Sequence, residues 1–164
     1  MRWDYIIPLI IFFPVLLIQI TIIPLISISG VAPDLILIIL VYYSITRGQL
    51  YGTALGTFYG VLVDLITGSL LGSSMLSKTL AGFTAGYFSG ETKIELNIHT
   101  YNYSLIVFLC AMIDTVVFSF FSAFDLQTNL FSLLFEQSLL PSLYTGVIAI
   151  LFIFSPFRWK KYEK

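Results

Sequence analysis

Four charged side chains lie within or beside long apolar runs of the sequence: Asp34, Asp64, Lys78 and Asp114. At membrane depth such residues cost roughly 2.5–3.5 kcal/mol each on insertion scales, so they are candidates for a functional site. Asp64 ends one apolar run and Lys78 begins the next, which predicts an ion pair between them. We expect Asp34 to share their polar pocket and Asp114 to face the interior of the bundle. The alternative, that the pair only stabilises the fold, stays open.

The other reactive residue types do not form a recognisable catalytic or metal-binding pattern. The one histidine, His99, lies in a polar stretch and is expected to be a solvated loop residue, which leaves no HExxH zinc motif. Cys110 is the only cysteine, so it forms no intramolecular disulfide. The sequences around Asp64 and Asp114 do not resemble those of intramembrane aspartic proteases. We therefore expect no enzymatic activity, no metal and no cofactor.

The composition is that of an integral membrane protein. Of the 164 residues, 58% are hydrophobic and 10% are charged, and the mean hydropathy is +0.96. Since a spanning helix needs about 20 residues, the length accommodates about six spans and no separate soluble domain. The net charge of -1 and the scattered basic residues exclude a nucleic-acid-binding surface. We expect a single all-α domain over residues 1–164, embedded in the lipid bilayer.

Glycine, proline and charged residues divide the apolar sequence into six predicted spans. The first is too long for a signal-peptide core of about 7–15 residues, and Pro14 predicts a bend within it. The second is short, and the last is interrupted near Pro141. The predicted spans are approximately 5–28, 33–46, 50–67, 71–89, 101–122 and 131–157.

The basic residues predict the orientation, because lysine and arginine in short loops remain on the cytoplasmic side. Six spans place nearly all of them on one face, with both termini cytoplasmic, and the connections near Ser29, Ser69 and Asp125 carry none. Five spans would separate Arg2 from the basic C-terminus. In the six-span arrangement, the basic residues expected on the cytoplasmic face are Arg2, Arg47, Lys93, Arg158, Lys160, Lys161 and Lys164.

Glycines recur at every fourth position along the third and fourth spans. Such GxxxG patterns allow two helices to approach closely in lipid. The two spans are consecutive and joined by a short turn, which favours packing within the chain over homodimerisation. The glycines are Gly48, Gly52, Gly56 and Gly60, followed by Gly82, Gly86 and Gly90.

The ordered residues between about positions 33 and 90 resemble the MreD family of bacterial rod shape-determining membrane proteins. The resemblance implies a non-enzymatic, multi-pass component of the cell-wall elongation (Rod) complex in the cytoplasmic membrane. It also implies binding to the bitopic protein MreC and, with it, to MreB, RodA and a class B penicillin-binding protein. The matching residues are Pro33-Asp34-Leu35, Arg47-Gly48, the ladder to Gly60, Val63-Asp64-Leu65, Gly68 and Leu71-Gly72.

In its six-helix arrangement the MreD family is also similar to the S component of energy-coupling-factor vitamin transporters. A second hypothesis is therefore a membrane subunit that binds a small, vitamin-like solute, although a shared fold does not transfer function. A solute receptor needs an outward cavity with several unpaired polar or aromatic groups, whereas a scaffold needs an apolar groove with few polar anchors. The first span, rich in isoleucine and leucine rather than alanine, disfavours coupling to a transporter.

Overall fold

The computed structural model describes residues 7–27, 31–90, 94–99, 101–122 and 138–153. This part of the chain is helical and fits an α-helical membrane protein. The helices in chain order are α1 (Ile7–Thr21), α2 (Ile23–Ile26), α3 (Leu35–Arg47), α4 (Gln49–Thr67), α5 (Ser73–Tyr87), α6 (Ile94–His99), α7 (Asn102–Ser122) and α8 (Leu140–Ile153).

The middle helices coincide with predicted spans: α3, α4, α5 and α7 lie at the second, third, fourth and fifth. Of the sixth predicted span, 131–157, the structure describes residues 138–153, which include α8. Two of the described helices, Gln49–Thr67 and Asn102–Phe121, are long and apolar enough to cross a membrane by length and composition. The apolar helices Ile7–Thr21, Leu35–Arg47 and Leu140–Leu151 are shorter.

The first predicted span is divided into two helices. Helix α1 contains Pro14, and the interruption lies at Ile22, immediately before α2. Pro24 is in the first turn of α2, where a missing N–H is tolerated because no intrahelical acceptor is available there. Helix α1 continues through Pro14, and the interruption between the two helices lies near Pro24.

The polar connection after α5 contains a helix that the sequence analysis missed. We predicted a loop around His99, but His99 is the last residue of α6, which packs against α3 and α7. Ile94 and Ile98 are four residues apart and share one face of the helix. Ile98 is buried in the core and Ile94 packs against it, so a short apolar stripe explains the helix.

Helix α3 is the centre of the bundle. It contacts α1, α4, α5, α6, α7 and α8, and its side chains from Leu37 to Ile45 are largely buried. An all-round apolar helix of this kind belongs in the interior. The surface of the bundle is apolar as well, since Ile10, Phe13 and Leu17 of α1 are more than half exposed. The central position of α3 places its first residues among the other helices.

Candidate functional site

Close contact between α4 and α5 determines the position of Lys78. A Cβ atom added to any of five glycines in this pair would lie less than 3.0 Å from backbone atoms of the opposite helix, closer than real Cβ atoms come. Only glycine permits this separation, and the helix pair is formed within the chain. The five are Gly52, Gly56 and Gly60 of α4 and Gly82 and Gly86 of α5.

Gly48, the first member of the predicted ladder, has a different role. Its φ of +94° places it between α3 and α4, where it ends one helix and precedes the next. An added Cβ would be 3.6 Å from Ser89 Oγ, which is ordinary contact. The turn conformation therefore requires this glycine, and the prediction that it packs helices closely is wrong. Gly90 lies beyond the end of α5.

Three of the four predicted charges form one cluster, which we call the charge cluster: Asp34, Lys78 and Asp114. Lys78 Nζ lies 2.5 Å from Asp34 Oδ2 and 3.2 Å from Asp114 Oδ2. The Lys78 and Asp114 side chains are only 6% and 9% exposed, and that of Asp34 is 26% exposed. The cluster joins the start of α3 to α5 and α7, so a single ammonium group connects three parts of the fold.

Asp34 also caps α3. Its Oδ1 accepts a hydrogen bond of 2.9 Å from the Leu37 N–H, which satisfies one of the free amides at the start of the helix. The negative charge also lies at the positive end of the helix dipole. Asp34 is thus held from two directions, by its own helix and by Lys78.

Two further polar residues hold the backbone before α3, and the sequence analysis singled out neither. The Gln19 side-chain amide of α1 donates to Pro33 O and accepts from the Leu35 N–H, both at 2.9 Å. The Asp34 N–H donates to Thr145 Oγ1 of α8 at 3.1 Å. A lone glutamine inside an apolar span was the available signal, since buried amides require partners.

Asp64 does not pair with Lys78, so that prediction is wrong. Its carboxylate lies against the start of α5, where Gly72 provides no capping side chain, and it accepts the free amides of the turn and first helical residues. Five donors surround this buried group, which therefore acts as a helix cap supplied from α4. They are the N–H groups of Gly72 (2.8 Å), Ser74 (3.0 Å) and Met75 (3.2 Å) and the hydroxyls of Ser69 (2.8 Å) and Ser73 (3.4 Å).

Asp114 is the least satisfied member of the charge cluster. Lys78 donates to its Oδ2, while the buried Oδ1 accepts no hydrogen bond from the described residues. Cys110, one turn earlier on α7, is buried as well. Within the described residues no three His, Cys, Asp or Glu side chains come together as a metal site requires. The arrangement provides an electrostatic connection between helices.

An apolar groove of about 270 Å³ lies between α7 and α8. The Ser104 hydroxyl in it donates to Gly146 O at 2.7 Å, so this polar group already has a partner within the bundle. The groove offers an apolar contact surface and is lined by Tyr101, Ser104, Leu105, Phe108, Leu143, Gly146, Val147 and Ile150.

Comparison with known proteins agrees with the resemblance noted from the sequence. The family model described as rod shape-determining protein MreD matches residues 2–159. No curated protein and no solved structure gives a significant match. The family is one of membrane proteins with a role in rod cell shape, and it is not a known enzyme family. The match extends over nearly the whole chain, which therefore belongs to the MreD family of rod shape-determining proteins.

Proposed function

We propose that this protein is a non-enzymatic scaffold of the Rod complex in the bacterial cytoplasmic membrane. In this proposal it binds the spanning helix of the bitopic protein MreC and thereby acts with MreB, RodA and a class B penicillin-binding protein. The observation that carries the proposal is the match to the MreD family over residues 2–159. The sequence motifs between positions 33 and 90 lie within the matched residues and support the same assignment.

The geometry favours a scaffold over a solute receptor. The charged groups of the interior are mostly engaged with each other or with helix ends: Lys78 with two carboxylates, and Asp64 with the start of α5. The groove between α7 and α8 is apolar, and its Ser104 hydroxyl has a partner. These features match an apolar docking surface with few polar anchors more closely than a polar binding cavity.

We further propose six spans with both termini in the cytoplasm, in a helical arrangement like that of S components. The short α3, with 13 residues, would then begin below the outer lipid surface. Asp34, Asp64, Lys78 and Asp114 would all occupy the outer half of the bundle. Buried charges at that depth support irregular backbone and specific helix contacts, and we propose that the shape-determining role depends on them.

Reporter fusions test this topology. Fusions after Ser69 and after Asp125, which lies outside the described residues, are expected to report the outside, and a C-terminal fusion the inside. An external C-terminus would contradict six spans.

Site-specific photo-crosslinking in native membranes tests the partner. A photoreactive residue is placed in turn at Leu17 of α1, Leu65 of α4 and Val147 of α8, which are 65%, 60% and 57% exposed. Leu37 is fully buried and serves as the matched control. We expect cross-links to MreC from one of the three faces and none from Leu37, because a docked helix covers one side of the bundle.

The same experiment separates the two hypotheses of function. Cross-links to ATPase subunits, or a vitamin that copurifies with the protein, would favour the transporter subunit. The absence of MreC from all three faces, at normal protein levels, would count against the scaffold.

A further inference from the structure

The groove between α7 and α8 runs along two antiparallel helices. Two hydrogen bonds define their register, from the Ser104 hydroxyl to Gly146 O and from the Thr115 hydroxyl to Ser138 O. Tyr101 and Ile150 therefore lie at one end of the groove, and Phe108 and Leu143 at the other. Seven residues of helix extend over about 10 Å, which is about two-thirds of one leaflet of a hydrocarbon core about 30 Å thick.

The groove is narrow. Gly146 has no side chain, and a Cβ added there would lie 3.2 Å from Phe108 Cβ, so the glycine lets α7 and α8 approach beneath the groove. The volume is about 270 Å³. A helix that is about 10–12 Å across would fill on the order of 900 Å³ over the same length. The groove is therefore too small to enclose a helix, whereas a single hydrocarbon chain fits along it.

The sides of the groove are open to lipid and chemically suited to such a chain. Leu105 and Val147, one on each helix, are 59% and 57% exposed. The Ser104 hydroxyl donates to Gly146 O, so it does not require a polar ligand. A hydrocarbon chain gains dispersion contacts along both helices and leaves no polar group unsatisfied.

One end of the groove lies at a boundary between apolar and polar sequence. Tyr101 directly follows the polar stretch of residues 89–100, precedes α7 and is 74% exposed. Tyrosine is enriched at the level of lipid headgroups, because its ring is apolar and its hydroxyl is polar. This end of the groove therefore lies where a headgroup joins its acyl chains.

Positive charge follows at the same end. Helix α8 ends at Ile153, three residues after Ile150, and the next eleven residues lie outside the described part of the chain. Their sequence contains four basic residues and one acidic residue, Glu163. The first basic residue is only five positions beyond Ile153, so chain connectivity keeps these charges near the Tyr101 end. Basic residues close to a membrane surface attract anionic lipids. The four are Arg158, Lys160, Lys161 and Lys164.

We propose that the α7–α8 groove is a binding site for an anionic phospholipid. One acyl chain lies between the two helices, and the headgroup lies beside Tyr101 and the basic residues that follow α8. In the six-span arrangement this lipid belongs to the cytoplasmic leaflet. The site does not depend on the proposed partner MreC.

Native mass spectrometry of the whole protein tests the proposal. The protein is stripped of lipid in a mild detergent and titrated with dioleoylphosphatidylglycerol or dioleoylphosphatidylcholine, which share their acyl chains and differ in headgroup charge. We expect saturable binding of one lipid molecule and an affinity at least fivefold higher for phosphatidylglycerol. A single basic residue near an anionic lipid already contributes a factor of about five.

A matched pair of variants tests the groove itself. Leu105→Trp fills the groove and should abolish saturable binding of both lipids. Leu109→Trp is the control and should bind as the wild type does, because Leu109 lies one turn further along α7, is 40% exposed and does not line the groove. Equal binding by the two variants would overturn the proposal.

The double variant Lys160→Gln, Lys161→Gln tests the headgroup and keeps the experiment decisive if Leu105→Trp does not fold, because it leaves the groove residues unchanged. It should lower the affinity for phosphatidylglycerol at least fivefold and leave that for phosphatidylcholine unchanged. No saturable lipid in the wild type, or equal affinity of the wild type for the two lipids, would overturn the proposal. A photoreactive residue at Leu105 that cross-links to a polypeptide instead of lipid in native membranes would also overturn it and would assign the groove to a protein partner.

Discussion

Replacing Asp64 with alanine tests whether this carboxylate caps α5. The side chain is 1% exposed and accepts hydrogen bonds from three backbone amides at the start of α5. Loss of a helix cap costs about 1–2 kcal/mol, and loss of charge-assisted hydrogen bonds from a buried site adds about 1.5–3 kcal/mol. Because both contributions arise from the same hydrogen bonds and water can satisfy part of the exposed turn, we expect a total loss of about 2–4 kcal/mol.

The assay is thermal unfolding of the purified protein in detergent. At about 2–4 °C per kcal/mol for a chain of this size, Asp64→Ala should lower the midpoint by on the order of 10 °C. Leu65→Ala is the matched control, since Leu65 is the next residue of α4 and is 60% exposed. Equal midpoints for the two variants would refute the cap.

A charge exchange distinguishes the cap from the ion pair that the sequence predicted. The double variant Asp64→Lys, Lys78→Asp would restore an Asp64–Lys78 pair if one existed. At a helix start, however, lysine faces free N–H groups and the positive end of the dipole. We expect no recovery relative to Asp64→Lys alone, and substantial recovery in folded yield would contradict the capping role.

Two further predictions concern the other buried contacts. Gly56→Leu should strongly reduce the yield of folded protein, because even a Cβ atom at this position would collide with the Lys78 backbone. Ala54→Leu, at an exposed position of the same helix, is the control. Equal yields for the two variants would contradict close packing of α4 and α5. Lys78→Met should lower the free energy of unfolding by about 3–5 kcal/mol, because it leaves the buried carboxylates without their partner. The neutral triple variant Asp34→Asn, Lys78→Met, Asp114→Asn should recover most of this loss, as measured by thermal unfolding. A triple variant less stable than the single one would contradict this account.

The sequence predicted the positions of four helices within a few residues because their signals are local. Apolar runs end at Gly48, at Gly68 and around Ser89, and the corresponding helices end at Arg47, Thr67 and Tyr87. Helix α6 was missed because its apolar stripe consists of two isoleucines in a polar segment. Two apolar residues are too few to predict a helix, and a helix this short is stable only when its apolar face packs against a core.

The charge cluster was predicted only in part. Spacing along the sequence indicates how deep a residue lies in the bundle, but it does not indicate toward which helix the side chain points. Asp64 and Lys78 do lie near the facing ends of α4 and α5. The start of α5 has no capping side chain at Gly72, so its free amides bind Asp64, and Lys78 reaches Asp34 and Asp114. A helix that begins after glycine without a capping residue was a usable signal that an acceptor must come from elsewhere.

Recovery of MreC with the tagged protein, measured together with cell width, tests the scaffold most directly. The comparison uses rod-shaped cells whose only copy is the wild type or Lys78→Met, adjusted to equal amounts in the membrane. We predict that the wild type recovers MreC and maintains rods, and that Lys78→Met loses both because the helices around the charge cluster no longer hold the outer faces in place. Rod-shaped cells with undiminished MreC recovery in Lys78→Met, or no MreC recovery with the wild type, would contradict the account.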